Sequence, residues 1–354
     1  MVFDASDMLS HPASWLDASG KEPEIIMSSR ARVARNLARH RFTHNCDSEE
    51  LSEVLSTVSD TAGGTGTFKD GLFVDMGDVS TLDRQFLSER HLVSRDFLHN
   101  SAHRGLVLNE SEDVSLMINE EDHLRIQAYG SGLDLKSTWA RANRLDDETT
   151  RGLDVAFNER IGYLTACPTN VGTGLRVSVL IHLPGLVHSK EINKLLESLN
   201  KLNHTMRGFY GEGSEMMGNF FQLSNSATLG TSEESIIKSL GELALKVLGF
   251  ERRARDMLFS KARSLLEDKV WRAYGLLRYA HSVSTKEALS LISAVRLGVG
   301  VGIIDDVSIK TLNCLLIYTQ PAHLQKLEGK SMNALERDVA RAEYIRGLLT
   351  KPAT

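Results

Sequence analysis

Between Arg176 and His182 the chain alternates, with Val177, Val179 and Ile181 interleaved among Arg176, Ser178 and Leu180. Residues two apart on a strand share a face. The segment therefore reads as a strand with an apolar face to bury and with Arg176 and Ser178 pointing the other way. Met117–Gln127 and Tyr163–Cys167 also read as strands. Gly172 and Gly174 punctuate the connection from Tyr163–Cys167 to Arg176–His182, which predicts an antiparallel hairpin with a long loop.

Past residue 250 the texture changes. A helix is expected after Thr231, which has capping-box spacing to Glu234 and is followed by Ile236, Ile237, Leu240, Leu243, Ala244 and Val247 at helical intervals. Leu265 to Ala280, Lys286 to Leu297 and Met332 to Leu349 each carry apolar residues three or four apart. A length of 354 residues is enough for two domains, and the change of texture divides them into 1–255 and 256–354. The glycine cluster at Gly63, Gly64 and Gly66 lies outside any Walker pattern and reads as a mobile loop.

The formal net charge of -5 gives no overall basic field for nucleic acid. Cys46, Cys167 and Cys314 are too few and too scattered for a disulfide framework, and no pair has zinc-ligand spacing, which suits a reducing, cytoplasmic setting. No secretory signal or membrane span is recognisable.

Five arginines stand out: Arg30 and Arg32 in Ser28-Ser29-Arg30-Ala31-Arg32, then Arg125, Arg176 and Arg207. Arg30 and Arg32 share a face of an extended segment. Guanidinium forks pair with phosphate oxygens and stay ionised, and phosphoryl transfer depends mainly on positioning and preorganised charge. Taken singly, each is equally at home as a surface salt-bridge arginine. In Asn119-Glu120-Glu121-Asp122-His123-Leu124-Arg125 a regular strand would put Glu121, His123 and Arg125 on one face, with Glu121 and Arg125 roughly 13 Å apart at about 3.3 Å per residue. Glu212 follows Arg207 across a glycine-containing turn. Carboxylates could fix a guanidinium acceptor and take its proton, or they could lie in solvated turns. Cys167 opens Cys167-Pro168-Thr169-Asn170-Val171-Gly172-Thr173-Gly174, where Thr169 could hydrogen-bond back to the sulfur. A buried structural cysteine is the alternative.

Together these segments resemble the phosphagen (guanidino) kinase family, in family order over about 185 residues. The resemblance implies an α+β fold, with an antiparallel sheet flanked by helices followed here by a helical C-terminal domain. It implies that Arg30, Arg32, Arg125, Arg176 and Arg207 hold ATP phosphates, that Glu121 and Glu212 clamp and deprotonate the guanidinium, and that Cys167 lies beside it. It extends the nucleotide site over Ser28, Ser29 and Ala31, over Val177, Ser178, Val179 and Leu180, and over Gly208, Phe209, Tyr210 and Gly211. His91 is similar to the family's nucleotide-contacting histidine. ATP with Mg2+, held mainly through the nucleotide phosphates rather than by protein ligands, is the implied cofactor set.

Arg337-Asp338-Val339-Ala340-Arg341-Ala342 resembles the RDxxRA element of bacterial protein-arginine kinases, and the stretch from Leu312 to Gln325 is similar to that subfamily. The element is implied to be an allosteric phosphoarginine site. On a helix Arg337, Asp338 and Arg341 lie near one face, which without the resemblance reads as an exposed ion-pair face. Only 27 residues precede Ser28, where small-molecule members resemble one another in a longer helical domain, so the acceptor side is expected to be open to protein. The resemblance thus implies phosphorylation of exposed arginines in proteins, marking them for degradation or regulating stress-response proteins. It also implies an activator protein, the Clp protease machinery and a second copy of the chain as partners, without membrane or direct nucleic-acid binding. A kinase of free arginine and an inactive phosphoarginine reader are the competing readings. Retention of the arginine set with Glu121, Glu212 and Cys167 argues against the second.

Overall fold

The computed structural model describes residues 5–99, 101–208 and 218–350. Among these residues ten strands run in the order β1 (Ile26–Arg35), β2 (Leu72–Asp75), β3 (Gly105–Leu108), β4 (Val114–Ile118), β5 (Leu124–Ser131), β6 (Phe157–Asn158), β7 (Gly162–Tyr163), β8 (Leu175–His182), β9 (His204–Gly208) and β10 (Phe220–Asn225). Eight of them form one sheet, ordered β2-β3-β4-β5-β1-β8-β10-β9 and antiparallel throughout, while β6 and β7 form a separate ribbon. Among the strands lie the helices α1 (Ser6–Ser10), α2 (Ser48–Gly63), α3 (Thr81–Glu89), α4 (Leu135–Thr150), α5 (Pro184–His188) and α6 (Ile192–Lys201), followed by α7 (Glu233–Lys261). The rest of the chain forms α8 (Arg263–Tyr279), α9 (Thr285–Gly300), α10 (Ile309–Tyr318), α11 (Pro321–Leu327) and α12 (Ala334–Leu349).

Alternation decides which side of the sheet is covered. Ala31, Val33, Ile126, Ala128, Val177, Val179 and Leu223 pack with apolar residues of α2, α4 and α7 in one core. The opposite face carries Arg30, Arg32, Arg125, Gln127, Arg176 and Gln222 at its centre. One end of that face, at Met27, Tyr129, Leu180 and Phe220, is covered by the C-terminal helices. Met117, Leu106 and Leu108 pack with Phe86 and Leu87 of α3.

Side-chain caps fix several helix starts. Asp47 and Asn333 form capping boxes with Glu50 and Glu336, and Ser80, Ser232, Ser284 and Ser308 accept first-turn amides. The cap of α7 is therefore Ser232, one residue past the expected Thr231. This helix runs through residue 255 to Lys261, and the chain breaks direction at Ala262 (φ -139°, ψ 35°) before α8.

Two strand expectations fail. Met117–Gln127 is divided between β4 and β5 by the turn at 119–123, where Asn119 adopts φ 59°. Tyr163–Cys167 makes no sheet hairpin with β8, whose partners are β1 and β10. Only Tyr163 bridges back, to Gly172. Gly172 has φ 113°, and a Cβ there would sit 2.7 Å from the Thr228 carbonyl oxygen, so this loop is pressed against its neighbour and cannot pair as a ladder. Gly63 ends α2, and Gly64 and Gly66 lie just beyond it, outside the cleft lining.

Candidate active site

The polar face opens into a cleft of about 760 Å³. Its floor comes from the sheet register. Arg32 stands opposite Arg176 on β8 and Gln127 on β5, Arg30 opposite Tyr129 and Ser178, and Arg207 opposite Gln222. Four of the five arginines singled out in the sequence thus descend from adjacent central strands, and Arg207 from the edge strand β9. Arg95 and Arg104, which spacing did not reveal, bring the lining arginines among the described residues to seven, against the four carboxylates Asp96, Glu120, Glu121 and Asp122.

This imbalance falls on Arg32. Burial, then the Arg30, Arg125 and Arg176 guanidiniums, push the Arg32 pKa well below the usual arginine range. Its Nε is buried with no hydrogen-bond partner among the described residues. A multiply charged anion would relieve both penalties.

The carboxylates are divided by the turn. Glu120 is buried and accepts from Arg125 Nη1 at 2.5 Å, Ser94 Oγ at 2.5 Å and the Glu121 amide at 2.7 Å. Burial alone would raise its pKa, but Arg125 and these hydrogen bonds outweigh burial and hold it at about 2. Asp122 accepts from Asn36 Nδ2 at 2.6 Å and the Ala166 amide at 2.7 Å, tying the turn to the segment before Cys167. Between these pinned neighbours Glu121 reaches the cleft. Partial desolvation, then Asp122, push its carboxyl above the usual range, with Arg125 working against them. Such a carboxylate is a better proton acceptor than an ordinary one. His123 does not share this face. It is buried, its Nδ1 accepts from the Leu37 amide at 3.1 Å, and its Nε2 lies 3.7 Å from Cys46 Sγ.

Cys167 lines the cleft with its Sγ 3.0 Å from Thr169 Oγ1. Arg35 fixes the loop that follows by donating to the Thr173 carbonyl at 2.9 Å while paired with Asp146 at 2.5 Å. At Gly174 (φ +66°) a Cβ would lie 2.6 Å from the Ala34 carbonyl oxygen, so only glycine permits this close approach. His91, also at positive φ (62°), lines the opposite wall. Desolvation, then Arg30 and Arg95, lower its pKa to about 3, so the ring is neutral.

The other residues of the nucleotide strings divide by strand parity. Ala31, Val177 and Val179 face the helical core, and Ser29 Oγ is occupied with the Gly132 carbonyl and the Asp134 amide. Ser178 faces the polar side and accepts from Gln222 Nε2, and Leu180 packs on the C-terminal helices. Ser28 is buried opposite Leu180, outside the cleft, and Gly208 ends β9. Phe209, Tyr210, Gly211 and Glu212 lie outside the described residues.

The Arg337–Ala342 element sits on α12, away from the cleft lining. It is not an exposed ion-pair face. Arg341 is 1% exposed, and donates to the Thr319 and Val283 carbonyls at 2.8 Å each and to Asp338 at 2.5 Å. Arg337 donates to the Met332 carbonyl, Ala342 is in the helical core, and Val339 is half exposed. Ala340 lies between them, partly buried.

Residues 53–254 match the family model described as ATP:guanido phosphotransferase, C-terminal catalytic domain, and residues 263–354 match Protein-arginine kinase McsB C-terminal domain. The chain is 46% identical to a protein-arginine kinase of Pelotomaculum thermopropionicum over 341 residues, 94% of each chain. It is 42% identical to that of Bacillus subtilis over 339 residues, 94% of this chain and 92% of the other. Among solved structures, lombricine kinase superposes with a TM-score of 0.57 at 25% identity, covering 68% of this chain and 71% of that one. The duplicated taurocyamine kinase from Schistosoma mansoni with bound transition state analog components gives 0.56 at 26% identity, covering 71% and 35%.

Proposed function

The chain belongs to the ATP:guanido phosphotransferase family, and from that premise we propose that its cleft moves the terminal phosphoryl group of ATP onto arginine side chains of proteins. The observation that carries this is the excess of arginines over carboxylates around Arg32, next to one carboxylate whose pKa is raised. Arg30, Arg32, Arg125, Arg176 and Arg207 hold the phosphates. An arginine nitrogen attacks the terminal phosphorus as its bond to the bridging oxygen breaks, ADP leaves, and Glu121 takes the proton from the attacking nitrogen. Glu212 is assigned the second clamp on the guanidinium, and Cys167 lies beside it. Among the described residues no three His, Cys, Asp or Glu side chains converge to hold an ion. A divalent ion, Mg2+, is proposed to be carried by the nucleotide phosphates, where it would neutralise phosphate charge.

The relatives named protein-arginine kinases support a protein acceptor. Marking of proteins for degradation or stress regulation, with an activator protein and the Clp protease machinery as partners, belongs to the same proposal, as does a cytoplasmic location. No helix among the described residues is long and apolar enough to cross a membrane. We assign Arg337–Ala342 as a phosphoarginine-responsive element. Asp338 and Arg341 are bonded to each other through Oδ1 and Nη1, so the ligand would meet them as a pair. The chain is proposed to pair with a second copy, for which Leu276 and Tyr279, three apart and exposed in the last turn of α8, are the candidate apolar contacts.

The test is phosphosite mapping on an unfolded arginine-rich protein after incubation with ATP and magnesium, under conditions that spare acid-labile N–P bonds. Phosphate on arginine is expected. Phosphate on hydroxyl side chains, or turnover with free arginine alone, would refute the reading.

A further inference from the structure

Three consecutive residues at the end of α3 join two parts of the molecule. Glu89 reaches into the C-terminal domain and caps the start of α11. Its carboxylate accepts from the Ala322 amide at 2.9 and 3.0 Å and the His323 amide at 3.0 Å, and it lies 2.9 Å from His323 Nδ1. Arg90 is 1% exposed and forks onto Glu112, with both bonds 2.7 Å, while also reaching the His11 carbonyl at 3.2 Å and Tyr318 Oη of α10 at 3.5 Å. The next residue, His91, is in the cleft wall. Its carbonyl accepts from Gln127 Nε2 at 3.0 Å and Tyr129 Oη at 3.1 Å, and Tyr129 Oη in turn accepts from Arg30 at 3.0 Å.

A histidine at positive φ holds its conformation only where its surroundings fix it. Here the fixing comes from both sides: the sheet through Gln127 and Tyr129, and the helical domain through Glu89 and Arg90. Successive Cα atoms are about 3.8 Å apart, so a shift of Glu89 or Arg90 is transmitted directly to the His91 carbonyl, and from there to Tyr129 and Arg30.

We propose that Glu89 and Arg90 are positioning residues for the nucleotide end of the cleft, fastening His91 and Arg30 to the C-terminal helical domain. The proposal rests on the reading that the cleft binds ATP. Neither residue touches the nucleotide. Their effect is on affinity for it, and the helical domain is thereby a structural part of the nucleotide site rather than an appendage.

The experiment uses the full chain with Glu89→Ala and Glu89→Gln, each checked for folding by circular dichroism. ADP is titrated calorimetrically, and KM is measured separately for ATP and for an arginine-rich protein acceptor. Glu89→Ala should weaken ADP and raise the KM for ATP on the order of tenfold, the low end of the scale for one hydrogen bond to a charged group, with kcat and the acceptor KM within about twofold. Glu89→Gln, which keeps one carbonyl acceptor, should recover part of the loss. Trp15 stacks on Tyr129 with ring centroids 5.3 Å apart and meets His91 edge-on at 5.8 Å, so in a Trp139→Phe, Trp271→Phe background its emission should shift in Glu89→Ala. An ADP affinity within twofold of wild type would overturn the proposal, as would equal losses for both substrates. If Glu89→Ala does not fold, Glu89→Gln with wild-type ADP affinity would overturn it. The ADP titration needs no turnover. A wild type that binds ADP but leaves arginine unmodified would sink the functional reading and still test this one.

Discussion

Replacing Glu120 by glutamine keeps its shape and removes its charge. Among the described residues Glu120 is the one carboxylate that Arg125 hydrogen-bonds, at 2.5 Å, and its side chain is 2% exposed. Breaking one side of a buried ion pair costs about 3–5 kcal/mol. Linkage gives a similar figure, since a carboxyl held at about 2 instead of the ordinary 4.5 corresponds to roughly 3 kcal/mol of stability at neutral pH. The lower end applies, because Glu121 and Asp122 also stabilise the Arg125 charge. The sign follows from the depressed pKa. The contribution is complete above the unfolded value and disappears as pH falls through the folded one. Urea unfolding should therefore show Glu120→Gln less stable by about 3 kcal/mol at pH 7, with the gap shrinking to roughly 1–2 kcal/mol at pH 3. A gap under 0.5 kcal/mol, or one that does not change with pH, would refute the assignment of Glu120 as the counter-charge that holds Arg125.

Cys167 should alkylate faster than Cys46 or Cys314, since burial pushes the Cys46 thiol up and the Cys314 thiol to about 11. ATP plus a protein acceptor should protect it, and slow, ligand-independent labelling read by mass spectrometry would contradict this. Arg341→Ala and Asp338→Ala should each abolish the response of initial rates to added phosphoarginine while basal transfer persists. Arg341→Ala should also lower stability by about 2 kcal/mol, because it strips two buried carbonyls of their donor, and variants that respond like wild type would remove the regulatory reading. Tyr279→Asp combined with Leu276→Asp should convert dimer to monomer in light scattering. An unchanged mass would place the interface elsewhere.

The sequence exposed what obeys a local period. Alternation in Arg176–His182 gave the correct apolar and polar faces of β8, because parity along a strand is covalent geometry. The helices α8, α9 and α12 followed from apolar spacing for the same reason, whereas α10 and α11 were not singled out by it. Glu120 was hidden because Asn119–Arg125 reads as strand until Asn119 turns at positive φ, which swings Glu120 back onto Arg125 and sends His123 behind the sheet. Arg95 and Arg104 have no periodic signature, since they reach the cleft from a loop. The Glu89 contacts with α11 span more than 230 positions, and no spacing rule relates residues so far apart. The same holds for Arg341, whose buried carbonyl partners belong to other elements, so that its helix alone suggested an exposed ion pair.

Glu121 is proposed to take the proton from an arginine held against ATP by the arginine cluster. This role is tested most directly by single-turnover transfer from ATP to an arginine-rich protein with wild type and Glu121→Gln, with ADP affinity measured on the same preparations. Unchanged ADP binding and a transfer rate lower by about 10²–10⁴-fold are expected in Glu121→Gln. Transfer within tenfold of wild type by a variant that binds ADP normally would contradict it.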